Sequence, residues 1–138
     1  MEIVIIDGQG GQLGARLVSE IISRFPDEAI TAIGTNSAAT AAMMKAGAKN
    51  AATGENPVIV ACRRADVIIG PVGIVIADSL TGEITPNMAI AIAQADATRI
   101  LVPMNKCDNL IAGIKDISTA ALIEDVIAKL DVLTAGRA

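Results

Sequence analysis

Short runs of consecutive apolar residues alternate along this chain with longer stretches in which apolar positions recur every three or four residues. The first pattern predicts strands buried on both faces, and the second predicts amphipathic helices. Ile3–Asp7 reads as a strand that is apolar and β-branched until Asp7. From Gly11 to Phe25, residues Leu13, Leu17 and Ile21, joined by Val18 and Phe25, form one helical stripe, and the following FPDE ends it because Pro26 cannot continue a helix. Ala29–Gly34 is the second strand. Asn36 or Ser37 caps an Ala-rich helix for which Gly47 is a natural stop. Asn50–Thr53 gives a short third strand, and Asn56–Pro57 reads as the start of a helix that places Arg63 and Arg64 at its negative end. Val67–Gly70 is the fourth strand, Thr85–Pro86 opens a helix running to about Ala97, and RILVPM is the fifth strand. NLIAGI is a candidate sixth strand, and Ser118–Leu133 is the closing helix.

Strands alternating with helices, each strand a continuous apolar run, predict an α/β fold: a three-layer doubly wound, mostly parallel sheet. Right-handed crossovers give the order 3-2-1-4-5, with the candidate sixth strand beyond it. Nothing in the composition divides the chain, so residues 1–138 are expected to form a single Rossmann-like domain. Val72–Thr85 is longer than an ordinary connection and reads as a hairpin or a short helix, serving as a lid or an interface element.

Between the first strand and the first helix lies DGQGGQLG, with four glycines in eight residues. A G-x-G-x-x-G loop counted from Gly8 and Gly10 fails because Leu13 stands at its third glycine. G-x-x-G-x-x-G fits, with Gly8, Gly11 and Gly14. Such a loop lets the chain turn sharply out of the strand, opens backbone N–H groups to an anion, and leads into a helix N-terminus that attracts phosphate. Each glycine costs roughly 0.5–1 kcal/mol of backbone entropy, so four of them exceed what a plain turn needs. The spacing resembles the cofactor loop of the extended short-chain dehydrogenases and their atypical relatives, and GGQLG resembles the sugar-nucleotide reductases among them. That resemblance implies NAD(P) or another nucleotide as ligand, but it stops at the cofactor half. Such enzymes work with a Tyr–Lys pair, and this chain contains no tyrosine.

The composition removes other functions. Phe25 is the only aromatic residue, and there is no Trp, Tyr or His. Base-stacking platforms, histidine general bases, Ser-His-Asp triads and His-ligated metal sites are therefore excluded, and a flavin ring would lack a flat partner. A net charge of −4 without a basic run argues against a nucleic-acid surface. Cys62 and Cys107 form neither a CxxC pair nor a disulfide framework. Glu2 replaces the basic start of a targeting segment, and Ile3–Ile6 is too short for a membrane span. A cytoplasmic protein is expected. With 52% hydrophobic residues in so short a chain, some apolar surface is expected to be covered by another copy in a homo-oligomer.

In a doubly wound sheet, ligands bind at the carboxyl ends of the strands. The loop residues Gly8, Gln9, Gly10, Gly11, Gln12, Leu13 and Gly14 are brought to that edge, with Thr35 and Asn36 after the second strand. Gly70, Pro71 and Val72 follow the fourth strand, and Lys106 follows the fifth as a partner for ligand charge. GTNS offers no carboxylate where an NAD site usually holds the ribose hydroxyls, so its small polar residues favour NADP. Asp7 either makes a plain Asp-Gly turn, caps the loop amides, or meets a ribose hydroxyl or a metal held with the ligand. A rival reading makes Asp7, Asn105, Lys106 and Cys107 the working groups of a small enzyme acting on an anionic substrate. A third reading is an assembly or accessory protein whose loop binds nothing and whose large apolar interface is built from Ile74–Leu80. As a set, DGQGGQLG, IGTNSAATAAMMKAGA, ATGEN, ADVIIGPVGIVIADSLTGEITPNMA and ILVPMNKC resemble a small bacterial Rossmann-like family of unknown function. That resemblance implies the fold and the cytoplasmic setting, and no activity.

Overall fold

The structure, a computed structural model, describes residues 1–104 and 108–136. Its elements are β1 (Glu2–Asp7), α1 (Gln12–Arg24), β2 (Ala29–Gly34), α2 (Ser37–Lys45), β3 (Asn50–Thr53), α3 (Glu55–Cys62), β4 (Val67–Pro71), α4 (Pro86–Gln94), β5 (Thr98–Val102) and α5 (Thr119–Ala135). The five strands form one parallel sheet in the expected order, β3-β2-β1-β4-β5.

The alternation of side chains along each strand divides the core. Ile3 and Ile5 of β1, with Val67 and Ile69 of β4 and Ile100 and Val102 of β5, face the layer formed by α1, α2 and α5. Val4, Ile6 and Ile68 face the other layer, where Val58 of α3 and Met88 and Ile92 of α4 pack. The predicted stripe on α1 is all inside: Leu17, Val18 and Ile21 are fully buried, and Leu13 and Phe25 nearly so. Each large aliphatic side chain removed from water contributes about 1.5–3 kcal/mol, and a strand apolar on both faces can only sit between two helical layers.

The ends of several elements differ from expectation for local reasons. Gly54 rather than Asn56 precedes α3, because its φ of +102° turns the chain sharply out of β3. Pro57 then falls inside the first turn, where its missing N–H has no helical acceptor to lose. Asn36 caps α2 by accepting the Ala39 amide at 2.8 Å. Thr85 caps α4 through the Met88 amide, with Pro86 following as predicted. That helix stops at Gln94, short of Ala97, since Ala95 is already extended and Arg99 donates to the carbonyl oxygens of Ala95 and Ala97 at 2.9 and 3.3 Å.

The candidate sixth strand does not form. Residues 109–114 carry no strand, Leu110 is 96% exposed, and Gly113 has a φ of +84° that breaks the run. An apolar run becomes a strand only where a partner strand meets it, and among the described residues β5 pairs with β4 alone. Val72–Thr85 is not a hairpin: a 3-10 turn, Val72–Val75, leads into a series of tight turns ending at Ile84. Ile74 and Leu80 are buried in the chain's own core, so the stretch Ile74–Leu80 is not an outward apolar face.

Candidate functional site

β1 ends at Asp7, whose carboxylate is almost wholly buried yet fully engaged. One oxygen accepts the Gly8 amide at 2.8 Å, and the other accepts the Gly14 amide at 2.7 Å. Among the roles that its sequence position leaves open to Asp7, the geometry displays the capping of the loop's own amides: the side chain ties the strand end to the first turn of α1. The Gly11 amide bonds back to the Gly8 carbonyl oxygen at 2.9 Å and closes the turn. Among the described residues, no acceptor meets the amides of Gly10, Gln12 and Leu13. These three remain available at the helix N-terminus.

Three of the four loop glycines are required by the chain's own packing. A Cβ on Gly8 would stand 2.6 Å from Thr35 Oγ1 and 2.8 Å from Leu80 Cδ1. On Gly11, with φ +72°, it would stand 2.7 Å from the Ala39 backbone of α2. On Gly14 it would meet Met43 Sδ at 2.7 Å and the Asp7 side chain at 2.8 Å. Gly10 alone faces open space. The G-x-x-G-x-x-G spacing is thus the spacing of three close contacts, and Gly10 is the glycine a ligand would approach.

At the end of β2 stands an acid that the sequence places only in the long connection after the fourth strand. Glu83, from the turns between β4 and α4, lays its Oε1 against Gln9 N–H at 2.9 Å, Thr35 Oγ1 at 2.6 Å and Asn36 Nδ2 at 2.7 Å. Asn36 is fixed at both ends of its amide, since Oδ1 caps α2 and Nδ2 also donates to the Gln9 carbonyl oxygen at 2.9 Å. The segment carrying Glu83 is anchored again where Thr85 Oγ1 donates to Glu55 Oε1. Within it, Asp78, Leu80 and Thr81 all have positive φ, at 65°, 55° and 57°. Left-handed non-glycine residues cost of order 1–2 kcal/mol each, so the surrounding contacts are what keep this segment folded onto the loop.

The structure therefore gathers Gly8, Gln9, Gly10, Gly11, Gln12, Leu13 and Gly14 with Thr35 and Asn36. Gly70 and Pro71 lie buried, with the Ile74 side chain 2.9 Å from where a Gly70 Cβ would be; Val72 is half-buried. The chain itself covers that side of the edge. Asn105, Lys106 and Cys107 lie outside the described residues. Cys62 is a free, buried thiol, and burial pushes its pKa up to about 11, which makes it a core residue and a poor nucleophile. An apolar groove of about 530 Å³ lies along β5 and α5, at the outer edge of the sheet and away from the loop. Among the described residues, no cluster of metal-ligating side chains is present, and no helix is long and apolar enough to cross a membrane.

The two carboxylates are tuned in opposite directions. Burial raises the Asp7 pKa, with Glu83 adding like-charge repulsion against the two amides that favour the anion. Burial would also raise Glu83, but the hydrogen bonds from Thr35, Gln9 and Asn36 outweigh it and hold its pKa below the ordinary 4.5. A depressed carboxylate adds stability above its unfolded pKa and loses it as pH falls through the folded one. Wild type should accordingly be more stable than Glu83→Gln at neutral pH, and the gap should close as pH drops below 4.5. Urea unfolding of both proteins across pH 3–7 checks this. A gap that does not change with pH would mean the charge of Glu83 is not what holds the clamp.

The family model for a domain of unknown function (DUF3842) matches residues 2–134. The chain belongs to that family. No curated protein and no solved structure matches the chain.

Proposed function

We propose that this member of the DUF3842 family is a nucleotide-binding protein that takes NAD, NADP or another nucleotide at its glycine loop, as a binder or sensor and not as a complete dehydrogenase. The observation that carries this is the set of unpaired amides of Gly10, Gln12 and Leu13 at the start of α1, beside a glycine whose Cβ direction is open. Those amides would hold a phosphate, with the helix N-terminus adding a favourable dipole. The position supports the same reading, because the loop lies at the carboxyl end of the central strand, where doubly wound sheets bind ligands. Without a tyrosine or histidine, the described edge offers binding groups and no evident proton donor for hydride transfer. A bacterial cytoplasmic setting and self-association belong to the same reading. The free Cys62 thiol supports a reducing compartment, and the unpaired outer edge of β5, with its apolar groove, supports a second copy.

Calorimetric titration with NAD, NADP and ADP tests the proposal. Gly10→Asp is the informative variant, since its side chain enters open space and the fold is left intact. It sets a negative charge before the free amides, and affinity should fall at least about tenfold. Absence of binding by wild type at millimolar ligand, or equal affinity in Gly10→Asp, would count against the loop as a phosphate site.

A further inference from the structure

We propose that Glu83 determines the ligand class of this site: its carboxylate is the acceptor for a ribose diol, so the site takes nucleotides with free 2′ and 3′ hydroxyls and rejects 2′-phosphorylated ones. This rests on the nucleotide-binding reading above. The second strand ends at Gly34, and Thr35, Asn36 and Ser37 that follow it bring no acid. The fold supplies one from 47 residues further along the chain. All three donors converge on Oε1, so this oxygen is spent on positioning. Among the described residues, nothing donates to Oε2, and Glu83 is only half-buried, so the carboxylate keeps an oxygen with unused lone pairs.

An acceptor with free lone pairs suits a diol, which brings two O–H donors. It does not suit a 2′-phosphate, which brings only acceptors and further negative charge. No described Lys or Arg forms an ion pair with Glu83 or Asp7. Thr35 and Asn36, the small polar residues that in the sequence favour NADP, are already donating to the carboxylate. The Ile74 side chain covers the end of β4 beside Gly70, whereas Glu83 stands at the end of β2. In a doubly wound fold this is where the nucleoside ribose nearest the loop sits.

Glu83→Gln separates the two oxygens. The amide oxygen can keep Gln9, Thr35 and Asn36, while the NH₂ replaces Oε2 and presents donors to the ligand. Wild-type full-length protein should bind NAD at least about tenfold more tightly than NADP, and ADP more tightly than 2′-deoxy-ADP by a similar factor. In Glu83→Gln, shown to be folded by circular dichroism, NAD affinity should drop about tenfold and the preference over NADP should vanish or reverse. Equal wild-type affinities for NAD and NADP, or a preference unchanged in the variant, would overturn the proposal while leaving nucleotide binding standing. Tighter binding of every probe to Glu83→Gln would overturn it too, by showing that the carboxylate blocks the site. Failure of all four probes to bind either protein would remove the underlying reading along with it.

Discussion

Gly11→Ala is expected to destabilise the protein by about 3 kcal/mol, whereas Gly10→Ala, one residue earlier, should change stability by no more than about 0.5 kcal/mol. The difference comes from two separate effects at Gly11. Its φ of +72° lies in the left-handed region, where a Cβ costs about 1 kcal/mol or more. That Cβ would also sit 2.7 Å from Ala39 Cα and 2.8 Å from Ala39 O, both backbone atoms of α2 that no rotamer change can move. Relief requires α1 and α2 to separate, at a typical overpacking cost of about 1–3 kcal/mol. Gly10 has neither effect, with open space around its Cβ direction. Urea midpoints at constant m-value measure both variants. Similar losses at the two positions would mean that the loop needs glycines for turning in general and not for its contact with α2.

Ile74→Ala should cost about 3 kcal/mol and loosen the segment that carries Glu83 before it affects the strands. Ile74 is fully buried, and it belongs to the core cluster that includes Ile6, Leu80, Ile84 and Met88. Removing three carbons there forfeits transfer free energy and leaves a cavity under the 3-10 turn. The turns beyond it include three left-handed non-glycine residues, so packing is what keeps them folded. Native-state hydrogen exchange should show the amides of Gly82, Glu83 and Ile84, which bond to Asp78, Leu80 and Ser79 inside this segment, losing protection ahead of those in β1 and β4. Uniform loss of protection would mean that the segment unfolds only with the whole domain. If the segment opens locally, Glu83 leaves the end of β2 with it, and any ligand preference that depends on Glu83 weakens in the same variant.

The glycine loop shows how far local pattern reaches. Strand, loop and helix were legible because each depends on near neighbours: the apolar run of Ile3–Ile6, the spacing of Leu13, Leu17 and Ile21, and Pro26 as a stop. The order of the sheet was legible too, since right-handed crossovers leave few ways to arrange five parallel strands. The gathering of Gly8–Gly14 with Thr35 and Asn36 followed from the same topology. The failed sixth strand marks the limit. NLIAGI has strand composition, but pairing needs a partner edge and a continuous backbone, which Gly113 interrupts.

By itself, then, the sequence determined the α/β class and the strand order, and its lack of Trp, Tyr and His removes the chemistries that need those side chains. Only the tertiary structure decided what the glycines touch and where the acid of the site comes from. Gly11 is a glycine because of Ala39 in another helix, and Glu83 reaches Gln9 across 74 positions of chain. Contacts at such separations leave no periodic trace, because they depend on how whole layers pack and not on the spacing of residues within one element. The loop could be found from its neighbours, but the contacts that hold Glu83 against it form only once the chain has folded over.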